Sequence, residues 1–517
     1  MLKRLKVVLV FLLTQMSQLF AQNLEANLEK YWSYRDRLTT EFMVVGDGQG
    51  MSMPAERKDT AAGFLKWSDN TIWLGWYTGM LALEYHMLAN PRYDGYNSAD
   101  SVAINRTLDE LYFAIKGIIR LDEIAESSFP SPCDTLGSIR NGFFIRDDVN
   151  EEFISNFPGI DFVLSDFIDP SVYFKEMSQD QVYHLLMGLA LVKKFLPVHV
   201  TIRGMNLRRE AIDQALHILD WVHEDGWVIE NPACQNKKVD RGPDAFLLSD
   251  GVNELVRFFS DGSLDYDADV TSFYELAWST LVSPDNMVYD NENNLHMAMV
   301  IAAMGKGWGD TTLNVLMKLG LSNRWYAYPL LYIALHDDTT SPAYLSFLDT
   351  INYWSEQMLD EAPPEGPYSL YPDSVTHGYA VNNRFIRSRP KHYIGTPFSA
   401  GGQFNGLDYM MLFNLYYTVS PSKWPQPPNT AVKETSELSF EIFPNPVGDY
   451  LHIKTTGTAD GECWIQIFDA IGMAVYPGDI LMKKHQTIDV SQLPGGIYFL
   501  RYGRGDFGIT KFVKGIW

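Results

Sequence analysis

The chain has 517 residues, enough to bury a large core, and its three cysteines, Cys133, Cys234 and Cys463, are too few for a disulfide scaffold. A formal charge of −23, with 64 acids against 41 bases, excludes an electrostatic affinity for nucleic acid or for an anionic membrane surface. Aromatic residues at 14% fit either a heavily packed interior or platforms for sugar rings.

At the amino terminus, Lys3, Arg4 and Lys6 precede V-V-L-V-F-L-L from Val7, a charged region followed by an apolar run too short to span a bilayer. This predicts a secretory signal peptide over residues 1–21, cut between Ala21 and Gln22. Its removal takes away three cations and leaves a charge of −26. No later run approaches the ~18 apolar residues of a membrane helix, so no transmembrane span is expected. Export leaves pairing of Cys133 with Cys234 open.

From Gln22 to Val419 the dominant period is helical. Helices are expected over Leu24–Phe42, Thr71–Leu88, Ser101–Glu126, Ser178–Leu196, Asn206–His223, Asp244–Phe259, Val270–Leu281, Asn291–Met304, Thr311–Leu319, Arg324–Leu335, Ala343–Asp360 and Gly406–Val419. Several, such as L-M-G-L-A-L-V and H-M-A-M-V-I-A-A-M, are apolar around most of their circumference, as helices enclosed by other helices are. The set resembles the α/α toroid, or six-hairpin, architecture of many glycoside hydrolases and polysaccharide lyases. That resemblance implies an inner ring of helices wrapped by an outer one. A helical solenoid is the alternative, although no repeated period joins the hairpins.

Four stretches carry candidate chemistry. W-S-D-N-T-I-W-L-G-W-Y-T-G-M, from Trp67, sets Trp73, Trp76 and Tyr77 beside Gly75 and Gly79, which fits a stacking platform or an aromatic face thinned for close helix packing. N-G-F-F-I-R-D-D-V, from Asn141, ends in Asp147 and Asp148, which point different ways if the segment is extended. In M-S-Q-D-Q-V-Y-H, from Met177, Ser178 and Gln181 have capping-box spacing, Asp180 suits the helix dipole, and His184 shares a face with Asp180. V-N-N-R-F-I-R-S-R-P-K-H-Y-I-G, from Val381, is basic in an acidic protein; Asn383 or Arg384 could neutralise a uronate while His392 or Tyr393 abstracts a proton. Gly406 and Asp408 open the last helix and could complete the same mouth. HExxH, paired CxxC, GxSxG and Walker patterns are missing, and the acids around Asp265 lack the glycine of a calcium loop, so neither metal nor cofactor is expected.

A proline-rich linker over residues 420–439 separates this region from short alternating strands, the pattern of a small β-sandwich. The tail carries F-P-N-P from Phe443, L-H-I from Leu451, D-A-I-G from Asp469, D-V-S-Q-L-P-G-G-I-Y-F-L-R from Asp489 and K-F-V-K from Lys511. In these motifs, residues 440–517 resemble the type IX secretion C-terminal sorting domain of Gram-negative bacteria. The resemblance implies a β-sandwich, here expected to be Ig-like, that serves as an address read by the secretion machinery, with the cargo released or attached at the cell surface.

The expectation is therefore a mainly α protein: an α/α toroid over 22–419 followed by a sorting sandwich. Its function is expected to be glycan degradation outside the cell on a polysaccharide or oligosaccharide. A glycoside hydrolase needs two carboxyl groups flanking the scissile bond, and Asp148 with Asp180 is the candidate pair. Trp73, Trp76, Tyr77, Gln181, His184 and Asp408 would contact the sugar. A lyase using Asn383, Arg384, His392 and Tyr393 and a non-catalytic glycan-binding protein are the alternatives.

Overall fold

The computed structural model describes residues 23–424 and 439–515, apart from 56, 60–63, 69, 94, 97–99, 130–139, 158–160, 165–174, 225–228, 234–253, 267–298, 306–309, 324, 337–341, 363–401, 457–462, 470–474, 476–479, 483–484 and 504–506. The expected signal peptide, Cys133, Cys234, the helix expected over 270–281 and the basic segment with Asn383, Arg384, His392 and Tyr393 lie outside the described residues. The chain divides into two compact units, Met1–Pro425 and Gln426–Trp517. The first is mainly helical and the second is built of strands.

Four helices of the first unit are buried on nearly every side: α2 (Asn70–Ala89), α6 (Gln179–Phe195), α11 (Ala327–His336) and α13 (Leu407–Val419). Their sequences are apolar all round, so no face prefers water. Longer amphipathic helices pack against them: α1 (residues 23–37, closed by a π turn at Leu38–Phe42), α3 (Asp100–Glu123), α7 (Leu207–Glu224), α10 (Asp310–Asn323) and α12 (Pro342–Glu361). Short helices α4 (Ala125–Ser128) and α5 (Glu151–Ile154), with α8 (residues 254–259) and α9 (residues 299–304), complete the described set. The helix expected to run from Ser101 to Glu126 breaks at Ile124, where α3 gives way to α4.

Side-chain pairings give the directions. Gly75 abuts His184 and Gly79 abuts Leu191, so α2 and α6 run parallel. Gly79 also meets Met411, and Asn414 donates to the Met80 carbonyl, which sets α13 parallel to α2. The Phe258 ring lies 4.9 Å from Lys193 Nζ and 6.3 Å from the His336 ring, placing the C-terminal ends of α6 and α11 together. By contrast Tyr77 and Glu84 pair with Glu110 and Thr107, so α3 runs against α2. Glu356 and Asn352 likewise meet Tyr416 and Ser420, so α12 runs against α13. A buried layer with one polarity is thus wrapped by amphipathic helices of the other.

A small sheet gathers the segments at the N-terminal end of the buried layer. Its order is β3-β2-β1-β6, from Asp161–Val163, Phe64–Lys66, Arg57–Asp59 and Gly402–Phe404. β1 pairs antiparallel with both β2 (Lys58 opposite Leu65) and β6 (Lys58 opposite Gln403), while β2 and β3 run parallel (Leu65 opposite Phe162). β2 leads into α2 and β6 into α13, and Asn70 and Asn405 clamp the Pro54 and Ala55 carbonyls at 2.9 and 2.8 Å. A two-stranded ribbon, β4 (Thr201–Ile202) with β5 (Met205–Asn206), turns the chain from α6 into α7. The unit extends past the boundary expected at Val419, because Trp424 is buried among Tyr93, Tyr96, Phe413 and Tyr417.

In the second unit, β7 (Ser439–Phe443), β8 (Tyr450–Thr456) and β11 (His485–Asp489) form one sheet, ordered β11-β8-β7. The other, ordered β10-β9-β12-β13, comprises Ile480–Met482, Cys463–Asp469, Gly496–Gly503 and Phe507–Lys514. Leu451, Ile453 and Ile488 of the first sheet meet Ile465, Ile467, Leu500 and Phe512 of the second in one apolar core. Period-2 alternation directs these residues inward.

Candidate functional site

The aromatic stretch on α2 is packed and does not form an open platform. Trp73 and Trp76 are 1% exposed and Tyr77 is fully buried. The cause is the crossing with α6: a Cβ on Gly75 would stand 2.1 Å from the His184 carbonyl oxygen, and one on Gly188 would stand 2.3 Å from that of Gly75. Such backbone contact admits only glycine and brings the rings beside it into the core. Tyr77 donates to Glu110 Oε2 at 2.5 Å. The Trp73 and Trp76 indole nitrogens have no hydrogen-bond partner among the described residues.

Tyr77 leads into a buried ionic cluster that pattern reading missed. Arg35 donates to Glu84 Oε2 at 3.0 Å and to Glu110 Oε2 at 2.6 Å, and Glu84 also accepts from Tyr31 and Thr107. Burial and the Glu110 charge hold the Tyr77 hydroxyl well above its usual range. Burial pushes the Glu110 carboxyl upward, but Arg35, Tyr77 and Arg106 outweigh it and leave the group below its usual value. A lone glutamate in the otherwise apolar run M-L-A-L-E-Y was the available signal, since a charge there must be paired.

The first turn of α6 is closed as a capping box, with the Ser178 N–H donating to Gln181 Oε1 at 3.0 Å. The Ser178 hydroxyl donates to Asp180 Oδ1 at 2.5 Å, and the Gln181 N–H reaches the same oxygen at 3.1 Å. Asp180 keeps partial exposure, whereas Gln181 and His184 are fully buried. His184 Nδ1 lies 2.6 Å from the Asp180 backbone carbonyl, an acceptor only, so the proton sits on Nδ1. His184 therefore engages the Asp180 backbone, and its ring stacks on Trp76 at 6.2 Å and 26°.

Residues 140–150 form an extended loop joined to the approach of α6 by one antiparallel bridge, Ile145 to Glu176. The two segments run antiparallel at that bridge, so the loop beyond Ile145, with Asp147 and Asp148, continues away from the start of α6. Asp148 is 5% exposed and receives Arg120 Nε at 2.5 Å and the Gly50 N–H at 3.0 Å. Arg120 also donates to the Met51 carbonyl, so the pair fastens loop 46–53 to the C-terminal end of α3. Asp147 is fully buried, with Lys175 Nζ 3.9 Å away.

Asp408 sits in the first turn of α13 at 2% exposure. Oδ1 accepts from the Tyr409 N–H at 2.9 Å, while Oδ2 has no partner among the described residues. Burial pushes this carboxyl up to about 7, against the backbone N–H bonds that favour its anion. The structure thus brings Asp180, Gln181, His184, Trp76 and Asp408 to the N-terminal end of the buried layer and places Asp148 at its edge. Among the described residues, no group of three His, Cys, Asp or Glu side chains could hold a metal ion, and no helix is long and apolar enough to cross a membrane.

The tail motifs form a second functional element. Asn445 lies between two cis peptide bonds, Phe443-Pro444 and Asn445-Pro446. Its side chain accepts from the Val513 N–H at 2.9 Å, and Val447 and Val513 bond backbone to backbone at 2.7 Å. Lys514 closes the contact on the Gly448 carbonyl at 2.6 Å and on Asp449 at 3.2 Å. F-P-N-P and K-F-V-K, at opposite ends of the tail, therefore clasp each other. Within D-V-S-Q-L-P-G-G-I-Y, Asp489 caps the Ser491 N–H at 2.9 Å and Tyr498 returns to the Pro494 carbonyl at 2.8 Å.

Residues 441–514 match the family described as the secretion system C-terminal sorting domain. The tail is thus a type IX sorting domain, and the protein is an exported cargo, secreted or attached at the cell surface. Comparison with curated proteins and with solved structures returned no match.

Proposed function

We propose that the helical unit is a glycan-degrading enzyme, a glycoside hydrolase working with two carboxyl groups. The observation that carries this reading is the single polarity of α2, α6, α11 and α13, which collects Asp180, Gln181, His184 and Asp408 at one end of an apolar layer. In this reading the hairpins close as an α/α toroid, the exported tail is Ig-like, and the collected first turns face the substrate. A partly exposed aspartate and a fully enclosed carboxyl at the same end of the layer support the division of labour hydrolysis requires, with one group ionised and one protonated. Asp180 takes the ionised role. Asp148, ion-paired with Arg120, is the partner assigned from sequence, and the protonated role, donating to the leaving oxygen, falls to Asp408, whose carboxyl burial pushes up to about 7.

The test is a screen of the purified secreted protein against neutral and uronate polysaccharides, following reducing ends and ultraviolet absorbance together. Reducing ends without absorbance are expected. Asp180→Asn should remove turnover by at least ~100-fold with the melting temperature little changed, because asparagine retains much of the capping geometry. Wild-type turnover in that variant would exclude Asp180 from the mechanism. An absorbing product would transfer the chemistry to the basic segment around Arg384, and retained binding without product would reduce the unit to a glycan-binding protein.

A further inference from the structure

Strand β12 of the sorting domain is apolar on both faces. In G-I-Y-F-L-R-Y, Tyr498 and Leu500 point into the core between the two sheets, so Ile497 and Phe499 point out of it. An antiparallel sheet with one face in water alternates apolar with polar residues, and I-Y-F-L does not. The neighbouring strands complete a strip: Phe499 stands opposite Phe468 of β9, and Ile497 stands opposite Val513 of β13. None of these four residues belongs to the core; Ile497 is 42% exposed and the other three are half-buried. Lys511, opposite Phe499 on β13, is exposed, and it is the one charged side chain on this face among the described residues.

Core packing accounts for Tyr498, Leu500 and Phe512 within the tail motifs, but it gives Ile497, Phe499 and Lys511 no duty. A contiguous apolar patch with a charge at its side marks an interaction surface. We propose that this outer face of the four-stranded sheet is where a protein of the type IX secretion machinery docks, offering an apolar surface to the strip and a carboxylate to Lys511. A second copy of the chain fits poorly. A two-fold contact would set the patch on itself and bring two Lys511 ammonium groups together, on chains that each carry a formal charge of −23. Area points the same way: four partly covered side chains offer far less than the ~800 Å² per partner of a standard stable interface, which suits a transient reader. The inference concerns the tail alone, so it stands or falls separately from the reaction proposed for the helical unit.

The experiment follows export of the full chain in the native cell, as the fraction cut by protease added outside, beside thermal unfolding and sedimentation of the purified full-length protein. Ile497→Thr combined with Phe499→Thr removes the apolar strip and retains strand-forming side chains. Lys511→Glu reverses the charge and Lys511→Arg keeps it. Tyr450→Thr is the control, since Tyr450 is 57% exposed on the outer face of the other sheet. The double variant and Lys511→Glu should each lower surface exposure ~10-fold or more with the melting transitions retained, whereas Lys511→Arg and Tyr450→Thr should be exported as wild type is. If the double variant does not fold, the exposed Lys511→Glu change decides the matter by itself. Wild-type export of Lys511→Glu and of a folded double variant would overturn the proposal, and so would an equal loss in Tyr450→Thr, which would show that export does not distinguish the two faces. A wild-type dimer that the double variant dissociates while export stays intact would give the face to a second copy and overturn it as well.

Discussion

Asp408 links burial to a measurable pH dependence. Its carboxyl is raised from 3.8 to about 7 by burial, so the folded protein holds a proton that the unfolded chain releases. The stability this gives is complete below the unfolded value and is lost as pH rises through about 7. Asp122, raised to about 6 by burial, acts in the same direction at lower pH. His86 opposes both: burial lowers it from 6.5 to about 4, so its contribution is lost as pH falls through that window. Acidification from about pH 8 to pH 6.5 should therefore raise the melting temperature, and Asp408→Asn should flatten that rise. An unchanged slope in the variant would show that Asp408 titrates as an ordinary surface acid. The sequence marked Asp408 as a residue opening a helix and as a candidate sugar contact; its protonation state comes from burial by neighbours remote in the chain.

Among the elements, the crossing of α2 and α6 is the tightest constraint. Gly75→Ala would drive a methyl group into the His184 carbonyl and should destabilise the fold by about 1–3 kcal/mol or more. Gly117 in α3 is the control, because a Cβ there would meet Leu74 at 3.9 Å and the Met51 carbonyl at 4.0 Å, ordinary contact distances. Gly117→Ala should be neutral or stabilising by about 0.5–1 kcal/mol through helix propensity. Chemical denaturation of both variants decides the point, and equal effects would mean that the two helices separate readily. The glycines were visible in the sequence beside Trp73 and Trp76, and close packing was one reading of them. The partner was not visible, because a helix face does not name the helix it meets. Amphipathic periodicity located α3, α7 and α12, and all-round apolarity placed α2, α6 and α13, for one reason: each pattern reports a local environment of water or protein.

For the whole molecule, export and cargo are separable. The two units have separate apolar cores, and the sorting motifs belong entirely to the second. Removing Gln426–Trp517 should leave the melting transition of the helical unit in place while the cargo stays inside the cell envelope, inaccessible to protease added outside. Surface accessibility equal to that of the full chain would show that the address lies elsewhere.

The sorting tail could be identified from its motifs because their residues meet geometric demands local to a few turns and strands, such as Asp489 capping Ser491 and Tyr498 returning to Pro494. Helical content and the strand-rich tail follow likewise from composition and period, which act over short stretches of chain. What only the tertiary structure decided is how distant residues combine: Arg35 with Glu84 and Glu110, Asp148 with Arg120, and Trp76 with His184. These pairings depend on helix direction and register, and those are set by contacts such as Gly75 against Gly188 that join positions far apart in sequence.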